Sequence, residues 1–143
     1  MKIDLAKSEI IHFVGIGGIG MSGLALIMHG MGFQIQGSDI SLNKNIERLK
    51  KKKIKISIGH NKININTATV LVISSAIKKN NPEFKEGKMK NLPIYKRGEM
   101  LGHIASLTKN ITVVGSHGKT TTTSLIASIF SKTKIDPTIV NGG

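Results

Sequence analysis

Gly15, Gly17 and Gly20 stand in a G-x-G-x-x-G spacing between a β-branched apolar run and an amphipathic segment, and no other feature constrains the fold as much. The run Glu9 to Val14 reads as a buried parallel strand that stops at Gly15. From Ile19 to Met31 the apolar residues Met21, Leu24, Ala25 and Met28 recur at helical spacing, and Gly30 and Gly32 supply the stop. Phe33 to Gly37 then reads as a second strand ending at Ser38 and Asp39. In such a unit the first glycine permits a sharp turn off the strand, the second lets a pyrophosphate approach the backbone, and the third brings the helix against the sheet. Backbone N–H groups and the positive end of the helix dipole face the phosphates. Asp39 reads equally as an acceptor for ribose hydroxyls and as an N-cap for the next helix. On these residues a nicotinamide-binding domain of an NAD-dependent oxidoreductase and a UDP-binding domain are equally open.

The alternation continues along the chain. Ser41 or Asn43 caps a basic helix running through Lys53, Lys55 to Ile58 alternates as a short strand ending at Gly59, and Thr69 to Ile73 is another buried strand. A turn at Pro82 leads into a polar, weakly helical stretch, followed by an extended Pro93 to Tyr95 and a helix from about Gly98 to Leu107. Strands alternating with helices imply an α/β fold, a Rossmann-like parallel sheet with helices on its faces. Polarity rises at Thr108 to Asn110, which places a domain boundary there: residues 1–108 form the first domain and 109–143 the start of a second. The second opens with an apolar strand, Ile111 to Val114, then a helix, Lys119 to Phe130, and a strand near Pro137 to Val140.

Between that strand and that helix the chain reads V-V-G-S-H-G-K-T-T, Val113 to Thr121. A lysine at Lys119 reaches β- and γ-phosphates, Thr120 offers its hydroxyl to Mg²⁺, and the amides of Ser116 to Lys119 cradle the anion. A strict Walker A motif has glycine where this chain has Val113, so the signature is the shortened G-x-x-G-K-T followed by further threonines. His117 reads as a loop residue rather than a catalyst. His12, His29 and His103 lack metal-ligand spacing and read as structural or solvated.

At this point a resemblance becomes specific. G-S-H-G-K-T-T-T-T at Gly115 to Thr123 resembles the ATP loop of the Mur ligases. F-V-G-I-G-G-I-G-M-S-G at Phe13 to Gly23, G-S-D at Gly37 to Asp39, I-G-H at Ile58 to His60 and S-S-A-I at Ser74 to Ile77 resemble the family member that adds L-alanine. R-G-E-M-L at Arg97 to Leu101 is similar to the family's R-A-E-M-L, with Gly98 in place of alanine, and D-P-T-I-V-N-G-G at Asp136 to Gly143 matches as well. The resemblance runs over essentially the whole chain, in order.

What it implies is a three-domain ligase whose first domain holds the UDP part of UDP-N-acetylmuramate and whose second, a P-loop α/β domain, binds ATP with Mg²⁺. The substrate carboxylate is phosphorylated, and the amine of L-alanine attacks the acyl phosphate. Carried over by position, Gly15, Ile16, Gly17, Gly18, Ile19 and Gly20 face the uridine diphosphate, with Asp39, His60, Ser74 and Ser75 in the same pocket. Gly115, Ser116, His117, Gly118, Lys119, Thr120 and Thr121 form the ATP loop. Lys119 is the catalytic residue that stabilises the transferred phosphoryl group, and Thr120 or Thr121 holds the metal. The nearest rival within the family is the ligase that recycles murein tripeptide. After Glu99 the only carboxylate side chain is Asp136, so the acidic partner of the metal and the L-alanine site are expected outside these residues, and this chain by itself is expected to be inactive.

Composition narrows the remaining classes. The formal charge is +13, which raises nucleic acid as a partner, but every cation of the 21 except Arg48 and Arg97 is Lys. With Ile and Asn abundant as well, this is the composition of an AT-rich gene rather than of a phosphate-reading surface, and four Phe and one Tyr offer little for base stacking. Absence of Cys excludes disulfides and thiolate metal sites. The apolar stretch Ile10 to Met31 is interrupted by glycines and histidines and precedes no small-residue cleavage site, so neither a membrane anchor nor a signal peptide is expected, and the location is read as cytoplasmic.

Overall fold

The structure, a computed structural model, describes residues 2–140. The elements are β1 (Ile10–Val14), α1 (Ile19–Gly30), β2 (Gln34–Asp39), α2 (Lys44–Lys51), β3 (Lys55–Ile58), β4 (Val70–Ile73), α3 (Pro82–Met89), β5 (Ile94–Lys96), α4 (Arg97–Ser106) and α5 (Lys119–Ser131), with a 3-10 helix at Lys62–Ile65. Among the described residues the strands form one five-stranded sheet in the order β3-β2-β1-β4-β5, and every neighbouring pair is parallel. The strand order reverses at β1, so the crevice of an open parallel sheet lies where β1 and β4 end.

Alternation along the strands gives the sheet two different faces. Ile11 and Phe13 on β1, Ile35 on β2, and Val70 and Val72 on β4 pack with Met21, Leu24, Ala25 and Met28 of α1, Leu49 of α2 and Met100 and Ile104 of α4. Phe13 is fully buried there, and burial of a side chain of that size stabilises the fold by about 2–3 kcal/mol. The intervening residues His12, Gln36 and Ser38 face the other side, where α3 lies against the 3-10 helix. That side carries a smaller apolar cluster, Ile65, Ala68 and Leu71, and beside it a buried polar layer.

Local signals account for most boundaries. Asn43, not Ser41, caps α2, its side chain accepting from the Ile46 amide at 2.9 Å. Asn81 caps α3 through the amides of Glu83 (2.9 Å) and Phe84 (3.2 Å), and Pro82 occupies the first turn, where its missing N–H costs nothing. The weakly helical reading of that stretch therefore resolves into a complete helix. Glu99 reaches back to the Lys96 amide at 2.6 Å and closes the start of α4.

Two expected strands are corrected. Ile111–Val114 and Pro137–Val140 have irregular backbone, because a parallel strand exists only through hydrogen bonds to its neighbours and no strand among the described residues lies beside either. In the same stretch α5 forms as expected, yet none of its residues is buried. Gly142 and Gly143 lie outside the described residues. No helix among the described residues is long and apolar enough to cross a membrane.

Candidate functional site

The carboxyl edge of the sheet collects most of the residues singled out from the sequence. Asp39 ends β2, Gly15 to Gly20 follow β1, Ser74 and Ser75 follow β4, and Arg97 follows β5. His60 lies just beyond β3, next to Asp39, whose carbonyl accepts from the Gly59 amide at 2.7 Å. Ser74 packs its Cβ against Gly15 and accepts from the Ala76 amide at 3.3 Å, while Ser75 is exposed.

Hydrogen bonding decides which part of the glycine loop is open to an anion. The amides of Gly15 and Ile16 both donate to the Ser38 carbonyl at 2.9 Å, and the Gly17 amide donates to Asp39 Oδ2 at 2.7 Å. Gly18 bonds back to the Gly15 carbonyl at 3.4 Å. The Ile16 side chain is fully buried, so this residue supports the loop from below. The first helical bond is donated by Ser22, and α1 has no side-chain cap, which leaves the amides of Ile19, Gly20 and Met21 without acceptors among the described residues. The anion-accepting part is thus the first turn of α1, where the dipole is strongest, and not the whole loop.

Asp39 is not a helix cap, since Asn43 performs that role. Its Oδ2 holds Gly17 and its Oδ1 accepts from the Ile40 amide at 2.8 Å. Asn43 and Asn45 donate to the Gly17 carbonyl at 3.2 and 2.9 Å, so both sides of that peptide are fixed. A Cβ at residue 17 would sit 2.8 Å from Asn43 Nδ2 and 2.9 Å from Asp39 Oδ2, which is why glycine is needed here.

Gly20 meets an unexpected neighbour. A Cβ there would lie 2.7 Å from Nη1 of Arg97, so the third glycine makes room for a guanidinium rather than for the sheet. Arg97 is half-buried and forms no hydrogen bond or ion pair among the described residues, Glu99 being committed to the Lys96 amide. Glu99 closes the helix start, and Arg97 is left to face α1. A cation against the positive end of α1 is electrostatically unfavourable until an anion lies between them.

Sequence reasoning missed Glu83 entirely. Its carboxylate is fully buried beneath the sheet, accepting from Ser38 Oγ at 2.6 Å and His60 Nδ1 at 3.0 Å on one oxygen, and from Asn64 Nδ2 at 2.5 Å on the other. Nε2 of His12 lies 3.8 Å from the same carboxylate. Burial pushes the Glu83 pKa up, but the His12 imidazole facing it and the hydrogen bonds from Ser38 and Asn64 outweigh it and hold the value at about 2 instead of 4.5. A signal was present in Asn81-Pro82-Glu83, a helix start, but nothing local says that this glutamate turns inward.

In the second loop Gly118 has φ 76° and ends the turn at the start of α5, with the Thr122 amide bonded to the Gly118 carbonyl at 2.9 Å. Lys119 is the first residue of α5 and folds back over the loop, its Nζ donating to the carbonyls of Gly115 at 2.6 Å and Ser116 at 3.4 Å. Ser116, His117, Thr120 and Thr121 are exposed, and no hydrogen bond engages the hydroxyls of Thr120 and Thr121 among the described residues. The lysine ammonium thus lies over the turn that opens α5, and the hydroxyls of Thr120 and Thr121 stand exposed in the first turn of that helix.

Known proteins share the sequence and the fold of this chain. The UDP-N-acetylmuramate–L-alanine ligase of Pelagibacter ubique is 78% identical over the whole chain, which spans 31% of that relative's length. The crystal structure of UDP-N-acetylmuramate-alanine ligase MurC from Thermotoga maritima superposes with a TM-score of 0.78 at 33% identity, covering 85% of this chain and 29% of that one. A murein peptide ligase from Psychrobacter arcticus gives 0.80 at 27% identity, over 87% of this chain and 26% of that one. The fold is thus shared by both branches, and among these solved structures the identity is 33% to the L-alanine enzyme and 27% to the murein peptide ligase. Since the sequence model described as Mur ligase family, catalytic domain, matches residues 10–109, from the start of β1 to just past α4, the chain belongs to the Mur ligase family.

Proposed function

We propose that this chain is part of an ATP-dependent ligase that joins L-alanine to UDP-N-acetylmuramate through an acyl phosphate, with residues 1–108 binding the UDP portion and 109–143 opening the ATP-binding domain. The observation that carries the reading is two anion-accepting turns on one chain, each at a helix N-terminus and each with a cation beside it, Arg97 at the first and Lys119 at the second. A nicotinamide-binding domain accounts for the first turn and leaves the second without a role. The 78% identity to an enzyme named for L-alanine supports the L-alanine branch.

At the first turn the amides of Ile19, Gly20 and Met21 and the Arg97 guanidinium receive the diphosphate, Asp39 and His60 lie toward the nucleoside, and Ser74 and Ser75 border the β4 side. At the second, Gly115, Ser116, His117 and Gly118 form the cradle. Lys119 exchanges its loop carbonyls for phosphate oxygens and stabilises charge on the transferred group. No group of three or more potential acidic, His or Cys ligands occurs among the described residues. The donor set instead fits Mg²⁺ held by a hydroxyl of Thr120 or Thr121 and by the nucleotide's own oxygens, supplying charge neutralisation on the phosphates.

The test is a thermal-shift comparison on the purified 143-residue chain. UDP-N-acetylmuramate is expected to raise the midpoint and NADH to leave it unchanged. The opposite order would overturn the reading.

A further inference from the structure

Donor bookkeeping around Glu83 shows which ring nitrogen of each neighbouring histidine points a hydrogen at it. Ser38 has one hydroxyl hydrogen, and at 2.6 Å it goes to Glu83 Oε2, so at 3.2 Å from His60 Nδ1 the Ser38 oxygen is an acceptor. Nδ1 of His60 must then carry a hydrogen, which it shares between Glu83 and Ser38. For His12 the logic inverts. The Gln36 amide donates one hydrogen to His12 Nδ1 at 3.2 Å and the other to the Asn64 carbonyl at 3.2 Å, so Nδ1 is the acceptor and Nε2 bears the hydrogen that faces Glu83. Two histidines of opposite tautomer thus flank one carboxylate.

The two differ in what their remaining nitrogen meets. His12 is 1% exposed and its Nε2 is sealed from solvent without a hydrogen-bond partner. His60 lies beyond the carboxyl end of β3, its side chain is 14% exposed, and its Nε2 is neither sealed nor bonded among the described residues. Asp39, paired with Ile58 in the β2–β3 register, stands between His60 and the glycine loop.

We propose that Glu83 is a positioning residue that locks His60 in the Nδ1–H tautomer, so that Nε2 presents a lone pair to a hydrogen-bond donor of the bound nucleoside, a ribose hydroxyl or the imide N–H of the base. This rests on the reading of the carboxyl edge as the UDP site. Because both oxygens of Glu83 accept, neutralising the carboxyl removes an acceptor and lets the His60 hydrogen move to Nε2, where it meets the ligand's donor head-on.

Two measurements on the 143-residue chain test this. Long-range ¹⁵N–¹H spectra, assigned with His60→Ala, are expected to show His60 with Nδ1 protonated and Nε2 bare, and a wild-type spectrum with Nε2–H overturns the proposal. Titration with UDP is expected to weaken about tenfold in Glu83→Gln and about tenfold in His60→Ala, the loss of one hydrogen bond. Glu83→Gln added to His60→Ala should weaken it no further. A glutamate that only supports the fold would lower affinity by the same factor in both backgrounds, which overturns the proposal. If Glu83→Gln does not fold, the wild-type tautomer and the His60→Ala titration decide alone: Nδ1–H with the tenfold loss upholds the proposal, and either one failing overturns it. Absence of UDP binding by the wild type, with the Nδ1–H tautomer intact, is the distinct failure of the UDP reading, and it overturns the ligand half of the proposal with it.

Discussion

The carboxylate of Asp39 accepts from the Gly17 amide at 2.7 Å, so a strand-end acid holds the glycine loop closed from below. Its other oxygen accepts from the Ile40 amide at 2.8 Å, so one side chain ties the end of β2 to the loop that follows β1.

Asp39→Ala is expected to lower stability by about 1.5–3 kcal/mol, the range for a hydrogen bond to a charged group. Asp39→Asn keeps an oxygen that accepts from Gly17 and should lose less. Urea unfolding of the two variants checks this, and equal losses would show that the Gly17 contact contributes nothing.

Glu83 makes the fold acid-sensitive. Its folded pKa of about 2 lies below the ordinary 4.5, so the folded state binds the proton more weakly than the unfolded one. The resulting stability is fully present above the ordinary value and is lost as pH falls toward the folded one; a shift of this size is worth about 3 kcal/mol. Urea midpoints measured across that acid range should fall steeply for the wild type. In Glu83→Gln the midpoint should start lower at neutral pH and fall less across the same range.

Arg97→Ala should reduce UDP affinity about tenfold, since one charge-assisted contact is removed. Thermal stability should hardly change, because the guanidinium forms no hydrogen bond within the described protein. The salt dependence of UDP binding should also flatten. Unchanged affinity at low salt would remove Arg97 from the site.

Lys119→Ala in the full-length protein should abolish phosphoryl transfer and leave UDP-N-acetylmuramate affinity close to wild type. Nζ of Lys119 reaches the carbonyls of Gly115 and Ser116, all within the second loop. Alanine-dependent phosphate release and a nucleotide-sugar titration report the two properties separately. Equal loss in both would mean the two loops have been assigned the wrong ligands.

Local chemistry was legible where one residue type answers to one backbone requirement. Apolar period and glycine placement located β1, α1, β2 and the glycine turns before α1 and α5, and Asn43, one of the two residues read as a cap for the second helix, is the cap found. What stayed hidden depends on distant partners. Ile111–Val114 has the composition of a buried strand, yet composition supplies no neighbouring ladder, and the segment is irregular. Asp39 offered two local readings; Asn43 takes the cap, and the approach of Gly17 from the preceding loop gives the carboxylate a loop-holding role that neither reading contained.

By itself the order of residues determined the alternating α/β class, the two glycine turns and the family resemblance, because each is a matter of spacing within one short stretch of chain. Only the tertiary structure decided that Arg97 lies over Gly20 and that Glu83 sits beneath Ser38 between His12 and His60. Those contacts join strand ends and helices far apart in sequence. A charge becomes a ligand site or a buried clasp according to which neighbours the sheet order brings to it, and no local pattern carries that information.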